Sequence, residues 1–187
     1  MPIYTTPVLN INLKKLVDNY GLLKELSTPA VAAAVVKDDA YGLGAAKVVK
    51  ALYAAGCRHY FVAHASEGEQ IRPYAPEAEI FVLQGVGEDS LTAVKNARLT
   101  PVICSPEMLS FWQSCGDKAI RPAIQIETGL NRLGFTEYDL EQLTAEELNG
   151  FSYVLSHLSC ADEAAHFMNM HQLENFRRLK TRFFADT

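Results

Sequence analysis

Residues Ala30–Gly44 read AVAAAVVKDDAYGLG: seven apolar residues, a lysine where they stop, then a turn rich in glycine. An unbroken apolar run of this length predicts a strand buried on both faces, as strands of parallel sheets are. Before it, Leu13, Leu16, Val17, Tyr20, Leu23 and Leu26 recur at helical spacing and predict a helix over Asn12–Ser27, stopped by Pro29. After it, the pattern repeats. Helices are predicted over Gly44–Ala55 (closed by Gly56), Ser66–Tyr74 (capped by Ser66 with Glu69), Asp89–Ala97, Pro106–Cys115, Tyr138–Leu148 and Asn169–Phe184. Strands are predicted over Tyr60–Ala63, Ile80–Leu83, Pro101–Cys104, Pro122–Ile126 and Ser152–Leu155.

Strict strand–helix alternation argues for an α/β fold with a parallel sheet covered by helices. An open doubly wound sheet and a (β/α)8 barrel both meet that description. A barrel takes eight units and about 250 residues. This chain has six units in 187 residues, so the count alone favours the open sheet. The residues at the strand ends favour the barrel, which collects its chemistry from the C-terminal ends of several strands.

Composition removes several classes of function. The 17 basic and 22 acidic residues leave a net charge of −5, a poor balance for binding a polyanion, so no nucleic-acid partner is expected. The longest apolar run, Ala30–Val36, is far short of the roughly 20 residues that cross a bilayer. The N-terminus, MPIYTTPVLNINL, lacks a basic segment followed by an apolar core, so no secretory leader is expected. Cys57, Cys104, Cys115 and Cys160 lie far apart beside apolar runs, which fits buried thiols in a reducing cytosol better than a disulfide framework. The expectation is a soluble cytoplasmic protein.

Three strand ends carry polar residues. Lys37 ends the first strand, where its ammonium meets a dry core. A lysine so placed either snorkels to solvent or offers its amine for Schiff-base chemistry. The fifth strand runs into ETGLNRLGF, which presents Arg132 between Gly129 and Gly134, either to a carboxylate or phenolate ligand or to Glu127 as a surface pair. The sixth runs into SHLSCADE, with His157 at its edge. The spacing of His157, Cys160 and His166 matches no common zinc site, and no metal is expected. Gly42-Leu43-Gly44 could cradle a phosphate with Tyr41 as donor. As a dinucleotide fingerprint it fails, because Lys47 occupies the third glycine position.

AVVKDDAYGLG (Ala34–Gly44) closely resembles the pyridoxal phosphate attachment segment of alanine racemases. The resemblance continues in order through FVAHASEGEQIR, ETGLNRLGF and LSHLSCADE. It implies a TIM-type barrel present here as about six units: residues 1–187 would be an N-terminal cofactor-binding barrel domain lacking the last two barrel strands and a C-terminal β domain. It implies pyridoxal 5′-phosphate as cofactor and L- and D-alanine as substrates, with D-alanine supplied for peptidoglycan. It also implies a bacterial homodimer. On the resemblance Lys37 is the Schiff-base lysine and one catalytic base, and Tyr41 binds the cofactor phosphate. Arg132 lies beside the cofactor phenolic oxygen and the substrate carboxylate, and His157 lies against the pyridine ring. Gln125 stands where many relatives carry a carbamylated lysine that braces the arginine, so here an amide would do the orienting. The second base would be a tyrosine of the missing domain, reaching in from the partner subunit, so the isolated chain is expected not to racemise alanine. The rival readings are a non-catalytic cofactor-binding barrel, an inactive truncated product and a nucleotide-binding domain.

Overall fold

The computed structural model describes residues 8–185, so the reading of a leaderless N-terminus falls largely on residues outside that range. The elements are α1 (Leu13–Ser27), β1 (Ala34–Val35), α2 (Lys37–Tyr41), α3 (Ala45–Ala54), β2 (His59–Val62), α4 (Ala65–Ile71), a 3-10 turn (Arg72–Tyr74), β3 (Glu79–Val82), α5 (Leu91–Asn96), β4 (Thr100–Ile103), α6 (Pro106–Cys115), β5 (Ala123–Gln125), α7 (Glu137–Glu141), α8 (Ala145–Asn149), β6 (Tyr153–Leu155) and α9 (Phe167–Phe183). All six strands are parallel and pair in chain order, β1 to β6. That order decides between the two architectures. A doubly wound sheet reverses direction at a switch point, whereas here each crossover steps the same way. The sheet curls into a half-barrel of the TIM type with its helices outside.

Alternation along the strands separates two cores. Tyr60, Val62, Ile80, Val82, Ile103 and Ile124 belong to the main core with Val49, Leu52, Ile71, Val94 and Leu109 of the helices. Each fully buried aliphatic or aromatic side chain there contributes roughly 1.5–3 kcal/mol. Phe81, Val102 and Ala123, with Phe61 and Leu155 beside them, form a second cluster on the inner face. Phe61 and Phe81 stack at 4.6 Å between ring centroids. Helix ends are specified locally. Asn12 accepts from the Lys15 N–H at α1, Ser105 accepts from the Met108 N–H at α6, and Pro106 begins α6 where no N–H is needed.

Three expectations need correction. The first strand is not buried on both faces: it is confined to Ala34–Val35, and Val31 and Val35 are exposed. Among the described residues β1 is an edge strand, paired with β2 alone. The helix expected over Tyr138–Leu148 is two helices, α7 and α8. Thr144 interrupts it by capping α8: its hydroxyl accepts from the Glu147 N–H while Glu147 accepts from the Thr144 N–H. Helix α4 starts at Ala65 after His64, not at Ser66, because Glu67 rather than Glu69 turns back to accept from the His64 N–H. Of the four cysteines, only Cys57 is buried; all four are free thiols. Among the described residues no helix is long and apolar enough to cross a membrane.

A polar cluster closes the N-terminal end of the inner face. Glu79 accepts from the Tyr153 hydroxyl at 2.6 Å and from the Thr100 hydroxyl at 3.2 Å, with the His59 Nε2 3.9 Å away. The bond to the Glu79 carboxylate, helped by burial, pushes the Tyr153 phenol up from 10.0 to about 12. A neutral phenol is thus favoured by the fold: this stabilisation is fully present below pH 10 and fades as pH rises through about 12. Replacing Tyr153 by Phe should remove that alkaline component, so wild type loses stability between these pH values more steeply than Tyr153→Phe in urea titrations. Parallel pH profiles would contradict the assignment.

Candidate active site

Parallel strands in chain order bring every C-terminal strand end to one rim. Lys37 stands there two residues after β1, His157 two residues after β6, and Arg132 in the loop leaving β5. The turn after β1 is unusual. Asp38, Asp39, Ala40 and Tyr41 all have φ between 52° and 54°. A left-handed turn costs non-glycine residues roughly 1–2 kcal/mol each, somewhat less for Asp. Its backbone bonds run from Gly42 N–H to the Asp38 carbonyl and from Gly44 N–H to the Asp39 carbonyl, both 2.9 Å. Asp39 also caps α3, accepting from the Ala45 N–H at 2.6 Å.

Glu67 on α4 holds this turn from outside. One carboxylate oxygen accepts from the Asp38 N–H at 2.7 Å; the other accepts from the N–H groups of Ala63 and His64 at 2.7 and 3.1 Å. The peptide following Lys37 is thereby tied to the end of β2. Tyr41 leaves the turn with 63% of its surface exposed, and Lys37 is half-buried. The dry surroundings expected of Lys37 are therefore not supplied by this part of the chain, because the β1 edge is open.

The Arg132 loop is pinned at its base. Ile126 and Phe135 form a parallel bridge, Phe135 N–H donates to the Gln125 carbonyl, and Glu127 N–H donates to the Phe135 carbonyl, both at 2.8 Å. Gly134 makes this closure possible: its φ is +119°, and a Cβ there would lie 3.0–3.1 Å from backbone atoms of residues 125–127. Buried Gln125 donates to the Leu133 carbonyl at 3.5 Å, so its amide braces the backbone beside Arg132. Glu127 does not pair with Arg132; its carboxylate accepts from the Gly129 N–H. Arg132 and His157 are both exposed. Among the described residues, the Lys37 amine, the Arg132 guanidinium and the His157 ring have no hydrogen-bonding or ionic partner.

The other polar residues read from the sequence have structural places. His166 caps α9, its Nδ1 accepting from the Met168 N–H, and stacks on Phe167. Cys160 lies beside the Ser159 hydroxyl. Burial pushes the Cys104 thiol up to about 11, which keeps it protonated. Gly42 and Gly44 complete the turn after β1. A cavity of about 780 Å³, lined by Trp112, Arg121 and Phe151 among others, opens by the N-terminal ends of β5 and β6, away from this rim. In barrels that end serves stability rather than chemistry.

The site is thus a parallel half-barrel rim presenting an amine, a guanidinium, an imidazole and a phenol without hydrogen-bonding or ionic partners among the described residues. Residues 11–186 match the family model described as alanine racemase, N-terminal domain, and the chain belongs to that family. It is 43% identical over 181 residues to the biosynthetic alanine racemase of Agrobacterium fabrum, covering 94% of this chain and 46% of that relative. With the alanine racemase of Rhodospirillum rubrum it shares 40% identity over 187 residues, 95% of this chain and 50% of that protein. The crystal structure of the Bartonella henselae alanine racemase, which carries covalently bound pyridoxal phosphate, superposes with a TM-score of 0.84 at 33% identity. The match covers 92% of this chain and 53% of that one. The biosynthetic enzyme of Pseudomonas aeruginosa gives a TM-score of 0.81 at 32% identity, over 89% and 48% of the two chains. The chain spans about half the length of the curated relatives it matches.

Glu67 was not singled out by sequence reasoning, although its position three residues after His64 is the acceptor position of a helix N-terminus. Glu67→Gln would turn an NH2 group toward one of the three N–H donors. Exchange of the Asp38 amide hydrogen should accelerate by about 10-fold or more, the effect of losing one charged hydrogen bond. Unchanged protection at Asp38 would show that the turn holds without the clamp.

Proposed function

We propose that this chain is the cofactor-bearing part of a pyridoxal phosphate-dependent alanine racemase. One observation carries the reading: Lys37, Arg132 and His157 stand on a single rim without partners among the described residues, a donor set that fits an anionic aromatic aldehyde. Bound there, pyridoxal phosphate supplies an aldehyde that joins an amine and a conjugated ring that takes up the electrons left when a proton departs from the neighbouring carbon. The Lys37 amine would hold the cofactor and move the proton at the alanine Cα on its own side. Arg132, with a planar fork of donors, would orient the carboxylate of alanine and the cofactor phenolate. His157 would lie flat against the pyridine ring, and Tyr41 would donate to the phosphate. The Bartonella enzyme, similar in fold and carrying the cofactor covalently, supports this assignment of chemistry.

Inverting alanine requires a proton to leave one face of the carbon and return at the other, and the rim offers one base. We therefore place the opposite base on a further domain and a second subunit, with residues 1–187 forming the N-terminal barrel portion of a cytosolic homodimer. The relatives' greater length supports that division.

The test is conversion of L-alanine to D-alanine, with added pyridoxal phosphate, by residues 1–187 joined to the further domain that supplies the opposite base. Lys37→Ala should abolish turnover together with the near-visible absorbance of the bound cofactor. Arg132→Ala should weaken turnover by about 10²-fold or more while leaving cofactor attachment intact. An unchanged spectrum in Lys37→Ala would refute the assignment. Because Gln125 has no amine to carry a carbamate, activity should not respond to bicarbonate; a sharp rise would require another lysine to brace Arg132.

A further inference from the structure

Away from the rim side chains, the buried polar contacts concentrate on one residue of α9. Gln172 is 1% exposed, and its amide is bonded at every position. Its Nε2 donates to the Thr128 Oγ1 at 3.2 Å and to the His157 carbonyl at 2.9 Å. Its Oε1 accepts from the N–H and the hydroxyl of Ser159 at 2.8 and 2.9 Å. A carbonyl can only accept and a backbone N–H only donate, so the orientation of the amide is fixed by its partners. Thr128 belongs to the loop that carries Arg132; His157 and Ser159 belong to the loop that follows β6.

The two loops also meet directly, the Thr128 and Ser156 hydroxyls lying 2.6 Å apart. Because the Thr128 oxygen accepts from Gln172, its own proton is free to serve Ser156. Helix α9 grips the first loop a second time, through a bond of 3.1 Å from the Asn175 Nδ2 to the Thr128 carbonyl. Gly129, at φ +142°, lets the loop lie on the helix: a Cβ there would stand 3.1 Å from the Gln172 Cγ. Simple anchoring of α9 would be served by an aliphatic side chain. A buried amide costs stability unless fully bonded, and when fully bonded it specifies a single arrangement of its partners.

We infer that Gln172 is a positioning residue that sets the Arg132 loop and the His157 loop in one register, so that both side chains meet the same bound group. The inference rests on the racemase reading above. Gln172→Leu leaves the Thr128 hydroxyl, the His157 carbonyl and the Ser159 N–H without their buried partner. Gln172→Glu keeps the acceptor for Ser159, but only its protonated form can donate to the His157 carbonyl. Thr128→Val, a milder change, removes the bond to Ser156 and one acceptor of the Gln172 Nε2, and keeps the Gln172 bonds to His157 and Ser159.

The experiment compares these three variants with wild type in the protein as its gene encodes it, supplied with pyridoxal phosphate and L-alanine. It reads kcat and KM against pH, and the cofactor trapped on Lys37 by borohydride. All four proteins should trap cofactor. Gln172→Leu should lower kcat by about 10- to 100-fold at every pH, the usual cost of misplaced reacting groups. In Gln172→Glu the deficit relative to wild type should shrink as pH falls, a recovery that a merely structural role would not produce. Thr128→Val should lower kcat by about 10-fold. Trapping in wild type with kcat and KM unchanged in Gln172→Leu or Thr128→Val would overturn the coupling alone. Absence of trapping on Lys37 in wild type would overturn the racemase reading and the coupling with it.

Discussion

Six strands that run in one direction and pair in chain order impose the arrangement on which everything else rests. The ladder puts every strand's C-terminal end on one rim, so loops separated by over a hundred residues in sequence share a surface. The same ladder sorts side chains by alternation, sending Tyr60, Ile80 and Ile124 to the helices and Phe81 and Ala123 to the inner face. Strands buried in this way cannot slip by one residue without reversing both cores, which makes the rim a fixed platform. The loops on it are then free to carry polar residues that the sheet itself would not accept.

Side chains at the rim divide into two kinds. Lys37, Arg132 and His157 have no partner among the described residues, whereas Glu67 and Gln172 spend their polar atoms almost wholly on backbone and hydroxyl groups of the loops. Glu67 offsets part of the cost of a left-handed turn beside Lys37. Gln172 joins the two loops at the other edge of the half-barrel. The unpartnered groups are suited to a ligand and the saturated ones to holding those groups still, which is the division a preorganised site requires.

Much of the fold was legible because it depended on local pattern. The helix over Pro106–Cys115 matches the structure to the residue, with Pro106 in its first turn and Gly116 behind it, and the expected strands other than the first agree within a residue or two. The misreadings each have a physical source. Ala30–Val36 looks like an interior strand in any window, but its burial depends on neighbours that β1 lacks on one side. The split between α7 and α8 was written in Thr144 and Glu147, a capping pair hidden inside a helical apolar pattern. The rim residues were legible because a charged or polar residue at the end of an apolar run stands out. Gln172 was not, because its partners on Thr128, His157 and Ser159 are brought near only by tertiary structure. Glu67 reaches the Asp38 N–H in the same way, although its bond to the His64 N–H is a local helix-cap pattern.

The central claim is that one bound group unites Lys37, Arg132 and His157. The most direct test is a crystal structure of the protein after incubation with pyridoxal phosphate and reduction with borohydride. The account predicts a pyridoxyl group on the Lys37 amine alone, with the Arg132 guanidinium near its phenolic oxygen and the His157 ring in contact with its pyridine. A cofactor attached to a different lysine, or one held at Lys37 with Arg132 and His157 both turned away, would contradict it.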